Sequence, residues 1–272
     1  MLYEIKPPKG LIQINLSELW RYRDLLYIFV WRDIKVRYKQ TAVGVAWGVF
    51  QPFLTMVIFS LFFGKLAQVP SEGIPYPVFV YTGLLLWNYF AAALTGSSDS
   101  LVANEGIVKK VYFPRLILPL SSTVTPAIDF AISFLVLIAI MFYYGFTPTL
   151  IGILIMPVLL LVSLIAAAGL GFLLSSANVK YRDVRFILPF FIQIMLFLTP
   201  VIYPVSIIPQ KFQWIAYLNP MAGLITLARG LLLHTGVVDW KLLPISLLSA
   251  LVLFVIGLVY FRKTERFFAD IL

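Results

Sequence analysis

The sequence has no cysteine and only one histidine among its 272 residues. Without cysteine the chain forms no disulfide and offers no thiolate ligand or nucleophile. A single histidine argues against a histidine-based metal or catalytic site. Charged residues make up 12% of the chain, about half the share typical of a soluble domain. With 61% apolar residues and a mean hydropathy of +0.95, the composition excludes a soluble globular protein.

The chain also lacks the usual motifs of ATP-binding and hydrolytic proteins. No P-loop pattern G-x-x-x-x-G-K-[ST] occurs, so ATP is not bound here in that way. Neither H-E-x-x-H nor G-x-S-x-G is present. The twelve acidic residues are scattered instead of clustered. Because an enzyme acting on lipid phosphates would normally cluster such residues, a membrane enzyme of glycolipid synthesis remains only an alternative interpretation. No cofactor is expected in this chain.

What the sequence has in abundance is long stretches without charge. A membrane-spanning helix needs about 20 mostly apolar residues, and six stretches meet that need. They predict an all-α polytopic membrane protein with a cytoplasmic tail and amphipathic helix at 1–40 and a transmembrane domain at 41–272. The spans are predicted at about 42–64, 77–98, 117–143, 150–174, 186–203 and 241–261.

The basic residues predict which side of the membrane each loop occupies. If both termini are cytoplasmic, 17 of the 21 Lys and Arg residues lie on the inner side, as the positive-inside rule requires. The net charge of +9 is then explained by topology and lipid contact, and nucleic acid is not an expected partner. We therefore expect a multi-pass protein of the bacterial cytoplasmic (inner) membrane with both ends inside.

Residues 15–39 predict a helix that lies in the inner membrane interface. Asn15 and Glu18 fit a capping box, and aromatic and basic residues occupy neighbouring faces of the helix that follows. A simple anchor for the first span is the alternative. Basic residues near the inner face would hold anionic lipid. The candidates are Arg32, Arg37, Lys39, Arg182 and Arg185.

Asp129 is the one acidic residue deep within a predicted span, where an ionisable side chain points to a function by default. Serine and threonine neighbours could bond it or allow close helix packing. No basic residue occupies another span as its partner, so a proton relay is not supported and we expect a packing role.

Amide and aromatic side chains form stripes on three of the predicted spans. An amide that faces lipid is costly, so these stripes should face protein or a channel. For the phenylalanines alone, lipid contact or core packing is the alternative. The channel-lining candidates are Trp47, Gln51, Thr55, Phe62, Tyr81, Asn88, Tyr89, Phe186, Phe190, Gln193 and Phe197.

Four ordered blocks from about residue 20 onward resemble the permeases of ABC-2-type polysaccharide exporters, above all the membrane subunit of O-antigen and related lipid-linked polysaccharide exporters. The first is Trp31 to Thr41 with Gly44, Trp47 and Pro52, and the second is Asn104 with Lys109 to Arg115 and Pro119. The third is Asn178 to Val184 with Gln193 and Thr199 to Pro204, and the fourth is Leu218 to Met221 with Arg229.

This resemblance implies a permease homodimer with two copies of a separate P-loop ATPase, which binds ATP and Mg. The substrate would be a polysaccharide on undecaprenyl diphosphate, threaded through a channel between the permeases with spans one and five as its walls. The basic candidates near the inner face would then hold either anionic lipid or the diphosphate of the substrate. Sugar rings would rest their C–H faces on the aromatic planes of the channel candidates, and the amides would exchange hydrogen bonds with sugar hydroxyls. Residues at about 97–115 would form a coupling helix, although a plain basic loop is the alternative. Its candidate residues are Asn104, Lys109, Lys110, Tyr112, Phe113, Pro114 and Arg115.

The apolar segment between the last two spans is too short in each piece to cross a membrane. Its short helices, at about 205–233, resemble the family's outer gate and would be re-entrant or interfacial. The outer-gate candidates are Pro204, Pro209, Asn219, Pro220 and Arg229. Teichoic acid and capsule exporter permeases are close alternatives, and drug or small-lipid efflux and secondary transport are more distant ones.

Overall fold

The computed structural model describes residues 16–39, 44–233 and 239–268, and all regular secondary structure in these ranges is helical. Twelve α-helices are present there: α1 Leu16–Arg21, α2 Arg23–Lys39, α3 Gly44–Phe59, α4 Tyr76–Ala103, α5 Glu105–Val108, α6 Ile117–Val124, α7 Ala127–Tyr143, α8 Leu150–Lys180, α9 Val184–Leu198, α10 Gln213–Leu218, α11 Pro220–Leu233 and α12 Leu242–Glu265. A π-helix, Ser60–Leu66, continues α3, and two 3-10 turns, Val205–Ile207 and Gln210–Phe212, precede α10. Asn15 and the side chain of Trp47 lie outside the described residues.

Five stretches of helix are long and apolar enough to cross a membrane, which confirms the predicted polytopic all-α class. They are Gly48–Leu66, Tyr76–Ala103, Ile117–Tyr143, Leu150–Lys180 and Leu242–Glu265. The predicted fifth span corresponds to α9, which ends at Leu198 and not near residue 203. Its 15 residues rise only about 22 Å, short of a bilayer core of about 30 Å. Pro200 follows closely and disfavours helix at the residue before it.

Helices α10 and α11 form a sharp elbow. The segment Gln210–Leu218 meets Pro220–Leu233 at an angle of 108°, so the two form either a broken span or a re-entrant loop. This shape agrees with the short re-entrant pieces expected between the last two spans. Counting the elbow as one bent span brings the total to six.

Helix α4 is the centre of the bundle. More than three quarters of its most apolar stretch is buried within the chain. It packs against α3, α6, α7, α8 and α11. Small residues bring the remaining helices close, as is common in membranes. A Cβ on Gly257 of α12 would clash with the carbonyl oxygen of Gly169 on α8.

A second hydrophobic cluster joins α2 to the cytoplasmic half of the predicted topology. Phe29 of α2 contacts Phe113, with ring centroids 5.9 Å apart. Phe172 of α8 contacts Phe261 of α12, which contacts Phe268 in turn. Helix α2 is therefore docked on the bundle through Phe29, while its Tyr27 and Trp31 remain exposed.

Candidate functional site

A cavity of about 940 Å³ lies between α3, α4 and α7, beside the end of α2. A pocket of this size holds a drug-sized ligand. The cavity brings together five of the residues that the sequence predicted to line a channel. They are Gln51, Thr55, Tyr81, Asn88 and Tyr89.

The cavity wall offers amides, hydroxyls and aromatic rings. Gln51 and Asn88 contribute the amides from α3 and α4. The Tyr89 hydroxyl donates to the carbonyl oxygen of Thr123 at 3.1 Å, and its ring lies 6.0 Å from that of Phe130. Aromatic faces beside hydrogen-bonding groups are the chemistry that a sugar requires, because each ring has apolar C–H faces and polar hydroxyls.

Asp129 lies on this wall and is engaged by α2. Its carboxylate accepts hydrogen bonds from Arg37 Nη1 and from the Tyr38 hydroxyl. Burial, together with the hydrogen bond to Asp129, raises the pKa of the Tyr38 hydroxyl well above its usual range, so this hydroxyl keeps its proton and donates. The basic partner that the sequence did not reveal comes from the interface helix. The expectation of a simple packing role for Asp129 is therefore replaced by an ion pair.

Of the five basic residues proposed for lipid or diphosphate contact, Arg37 is the one on the cavity wall. Arg32 instead bonds Asp33 and donates to Asn104 Oδ1 at 3.0 Å. Lys39 is exposed at the end of α2. Arg182 and Arg185 are exposed near the start of α9, where the Arg185 guanidinium lies 4.8 Å from the Phe186 ring centroid.

The aromatic residues of α9 are separate from the cavity. Phe186, Phe190 and Phe197 are 69%, 65% and 50% exposed, and Gln193 is also exposed. Phe62, on the π-helical continuation of α3, is 58% exposed. The predicted channel residues thus form two groups, one around the cavity and one on outward faces of α3 and α9. Within a single chain, those outward faces are available to lipid or to another copy.

The predicted coupling segment is not one continuous helix. Residues 97–103 belong to α4, and the only separate helix is the four-residue α5. Lys109 and Lys110 are exposed, with Lys109 Nζ 2.5 Å from Glu105 Oε1. Tyr112 is exposed as well, and its hydroxyl donates to Glu18 of α1.

Three other residues of this segment face the bundle. Phe113 is only 4% exposed and Pro114 is buried, so neither offers a surface to a partner. Arg115 bonds Glu265 at the end of α12. The role proposed for Phe113, Pro114 and Arg115 is therefore better described as anchoring the segment. The sequence could not distinguish these from the exposed members because the segment has no helical periodicity.

The elbow after α9 is held by two polar residues. Asn219 donates to Thr199 Oγ1 at 2.8 Å, and its Oδ1 accepts from the Met221 N–H at 3.0 Å, at the start of α11. Arg229 of α11 is 4% exposed and donates to the carbonyl oxygens of Phe79, Pro200 and Val201.

The three prolines expected in the outer gate lie at boundaries. Pro204 and Pro209 precede the two 3-10 turns, and Pro220 begins α11. Pro204 and Arg229 also line a second, more polar cavity of about 440 Å³ together with Glu72 and Asp239. The gate candidates are thus structurally linked to one another.

Comparison with known proteins agrees with this architecture. The family description "ABC-2 type transporter" matches residues 24–233. An O-antigen export system permease protein RfbA of Klebsiella pneumoniae is 34% identical over 261 residues, which is 96% of this chain and 98% of that protein. The RfbA protein of Myxococcus xanthus is 30% identical, covering 92% and 96%. The polysialic acid transport protein KpsM of Escherichia coli is 21% identical, covering 86% and 91%.

The family match covers most of the chain, and the relatives align with it along nearly their whole length. The several apolar helices that can cross a membrane are what a permease requires. The chain belongs to the ABC-2 type transporter family, as a multi-pass membrane permease.

Proposed function

We propose that this chain is the membrane subunit of an ATP-driven exporter of undecaprenyl-diphosphate-linked, O-antigen-like polysaccharide. Two copies would work with two copies of a P-loop ATPase in the bacterial inner membrane. The observation that carries the proposal is the cavity at Gln51, Asn88 and Tyr89, in a chain that aligns with O-antigen export permeases over nearly its full length.

The chemistry of that cavity fits a carbohydrate better than an apolar drug. The amides of Gln51 and Asn88 can exchange hydrogen bonds with sugar hydroxyls in either direction, because an amide both donates and accepts. The rings of Tyr89 and Phe130 form a T-shaped pair in the same wall and add apolar contact, with 3% and 6% of these residues exposed. Neither feature binds one sugar tightly, and a polymer that slides needs many weak and similar contacts.

Energy would enter through a separate subunit. The chain has no P-loop of its own, so the partner would bind ATP and Mg. The exposed residues Lys109, Lys110 and Tyr112 supply a surface for that partner, and the Tyr112–Glu18 hydrogen bond joins this surface to α1.

The proposal is tested by deletion and complementation in the source bacterium. Loss of the chain should remove surface polysaccharide and cause lipid-linked polymer to accumulate inside the cell, and the wild-type chain should reverse both effects. An ATPase should co-purify with it. Normal surface polysaccharide in the deletion strain, or purification without any ATPase, would contradict the proposal.

The cavity's part in export is tested by Asn88→Leu. Losing one amide from the wall should lower export several-fold at equal protein level, because each passing sugar loses one hydrogen-bonding partner. Asn88→Gln keeps an amide at the same position and should export far better than Asn88→Leu. Equal export by the two variants would remove the cavity from the transport path.

A capsular polysaccharide is the second candidate substrate, favoured by the alignment with the polysialic acid transport protein over 86% of this chain. The two candidates differ in the polymer that accumulates. Sugar analysis of the accumulated polymer, and identification of its lipid carrier, decides between them. Polymer on undecaprenyl diphosphate supports the O-antigen-like substrate.

A further inference from the structure

An ion pair between Arg37 and Asp129 lies on the cavity wall. Among the described residues that line the cavity, these are the two charged side chains. Their charges cancel, so the described part of the wall carries no net charge. Neutral sugars can pass such a wall without penalty. A diphosphate, however, needs at least one cation whose charge is not already compensated.

Asp129 holds both donors that an arriving phosphate would use. Arg37 and Tyr38 are consecutive residues at the end of α2, and both donate to this one carboxylate. A phosphate placed beside Arg37 would face the negative charge of Asp129 at close range, and like charges in contact are unfavourable. Phosphate binding at Arg37 therefore requires the carboxylate to move away.

The surroundings make this exchange feasible. Asp129 lies in the first turn of α7, where the positive end of the helix dipole stabilises a carboxylate that has lost its partner. Its side chain is part-exposed, so water can solvate it after displacement. Gly48 of α3 has no side chain beside the carboxylate, where a Cβ would be in van der Waals contact with Asp129 Oδ1 at 3.6 Å. Phosphate oxygens accept from the same N–H and O–H groups that the carboxylate releases.

We infer that Asp129 is a built-in competitor for the anionic headgroup of the substrate: its carboxylate occupies Arg37 and Tyr38 until a lipid diphosphate takes its place. This inference rests on the proposed function, because that function supplies the diphosphate. Occupation by Asp129 lowers the apparent affinity for the headgroup, and displacement frees α2 from α7. Headgroup arrival is thereby converted into a change at the interface helix.

The experiment uses the full permease, co-purified with its ATPase and placed in nanodiscs, with undecaprenyl diphosphate as the probe. Asp129→Asn removes the competing charge and should bind the probe about fivefold to tenfold more tightly than wild type. Arg37→Gln should bind more weakly, and the double variant should lose the gain. Asp24→Asn makes the same charge change on an exposed part of α2 and should bind as wild type does.

Asp129→Ser provides a second test in case Asp129→Asn folds poorly. It also removes the competing charge and leaves Arg37 and Tyr38 in place as donors to the phosphate, so it should bind the probe more tightly than wild type. Inorganic pyrophosphate separates a free phosphate from a lipid headgroup. It should bind more weakly than the lipid, and equal affinities would overturn the assignment to a lipid.

Failure of this inference is distinguishable from failure of the proposed function. If wild type restores export and Arg37→Gln weakens binding, but Asp129→Asn and Asp129→Ser bind no more tightly than wild type, the competitor role is overturned and the export function stands. If wild type neither restores export nor binds the probe, the proposed function falls and takes this inference with it.

Discussion

The guanidinium of Arg229 lies over the ring of Phe79, with its central carbon 3.5 Å from the ring centroid. The same group donates to the carbonyl oxygens of Pro200 and Val201, in the stretch where α9 has ended and no helical partner remains for them. One buried cation therefore joins α4, the end of α9 and the elbow helix α11.

Replacing Arg229 with lysine should destabilise the protein although the charge is kept. A single ammonium cannot reproduce the planar fork that bonds separate carbonyls and stacks on Phe79. We expect the free energy of unfolding to fall by roughly 2 to 4 kcal/mol, because buried carbonyls lose their donors. Thermal unfolding in detergent measures the change. Arg23→Lys, at an exposed position of α2, is the matched control, and equal melting temperatures for both variants would contradict the prediction.

The stability of the contact between α8 and α12 should also be sensitive to the addition of a single methyl group. A Cβ on Gly257 would meet the carbonyl of Gly169, and backbone atoms cannot rotate away as a side chain can. Gly257→Ala should therefore cost about 1 to 3 kcal/mol of stability through overpacking. A control is available at Gly106, where an added Cβ has nothing within 4 Å. Stability that drops equally in Gly106→Ala and Gly257→Ala would argue against the close contact.

Local features of the sequence were sufficient to predict much of the fold. Charge-free runs predicted the membrane helices, and the spacing of Gln51, Tyr81 and Asn88 placed them on faces that meet in the cavity. These signals depend on residues a few positions apart within one helix. The predicted end of α9, near residue 203, lies several residues beyond the observed end at Leu198. The reason is that apolar residues continue through Val201 and Ile202, which are buried but not helical.

Contacts between distant positions could not be predicted in the same way. Arg37 and Asp129 are 92 positions apart, and nothing within either segment indicates that the two meet. The burial of Phe113 has the same origin, since it depends on Phe29 of α2. A segment without periodicity does not reveal which of its residues face inward.

The hydrogen bond between Arg32 and Asn104 should contribute to coupling between α2 and the segment that we propose to face the ATPase. Arg32 Nη1 donates to Asn104 Oδ1 at 3.0 Å, and Asn104 in turn donates to the Ser100 carbonyl at the end of α4. Removing the bond should leave ATP hydrolysis by the complex in place and lower the polymer exported per ATP.

A double-mutant cycle tests this pair without assuming the effect of either residue alone. Arg32→Ala and Asn104→Ala should each lower the export-to-hydrolysis ratio, and the double variant should be no worse than the more damaging single one. Strictly additive losses would show that the two residues act independently. Protein level and ATPase co-purification are measured for every variant, so that loss of assembly is not mistaken for loss of coupling.

The exposed faces of α3 and α9 should meet a second copy of the chain in the membrane. Ile58 is 48% exposed and Phe190 is 65% exposed, on the two helices that the family resemblance places at the channel between permeases. Because the chain has no cysteine, single-cysteine variants carry no background reaction. Two differently tagged copies, one with Ile58→Cys and one with Phe190→Cys, should give a covalent dimer with a bis-maleimide reagent. Leu161 on α8 is 58% exposed, which is similar to Phe190. When Leu161→Cys is used in place of Phe190→Cys, the covalent dimer should not form. Cross-linking that does not distinguish Phe190 from Leu161 would mean that these faces contact lipid, and the channel would then have to be sought around the cavity of each single chain.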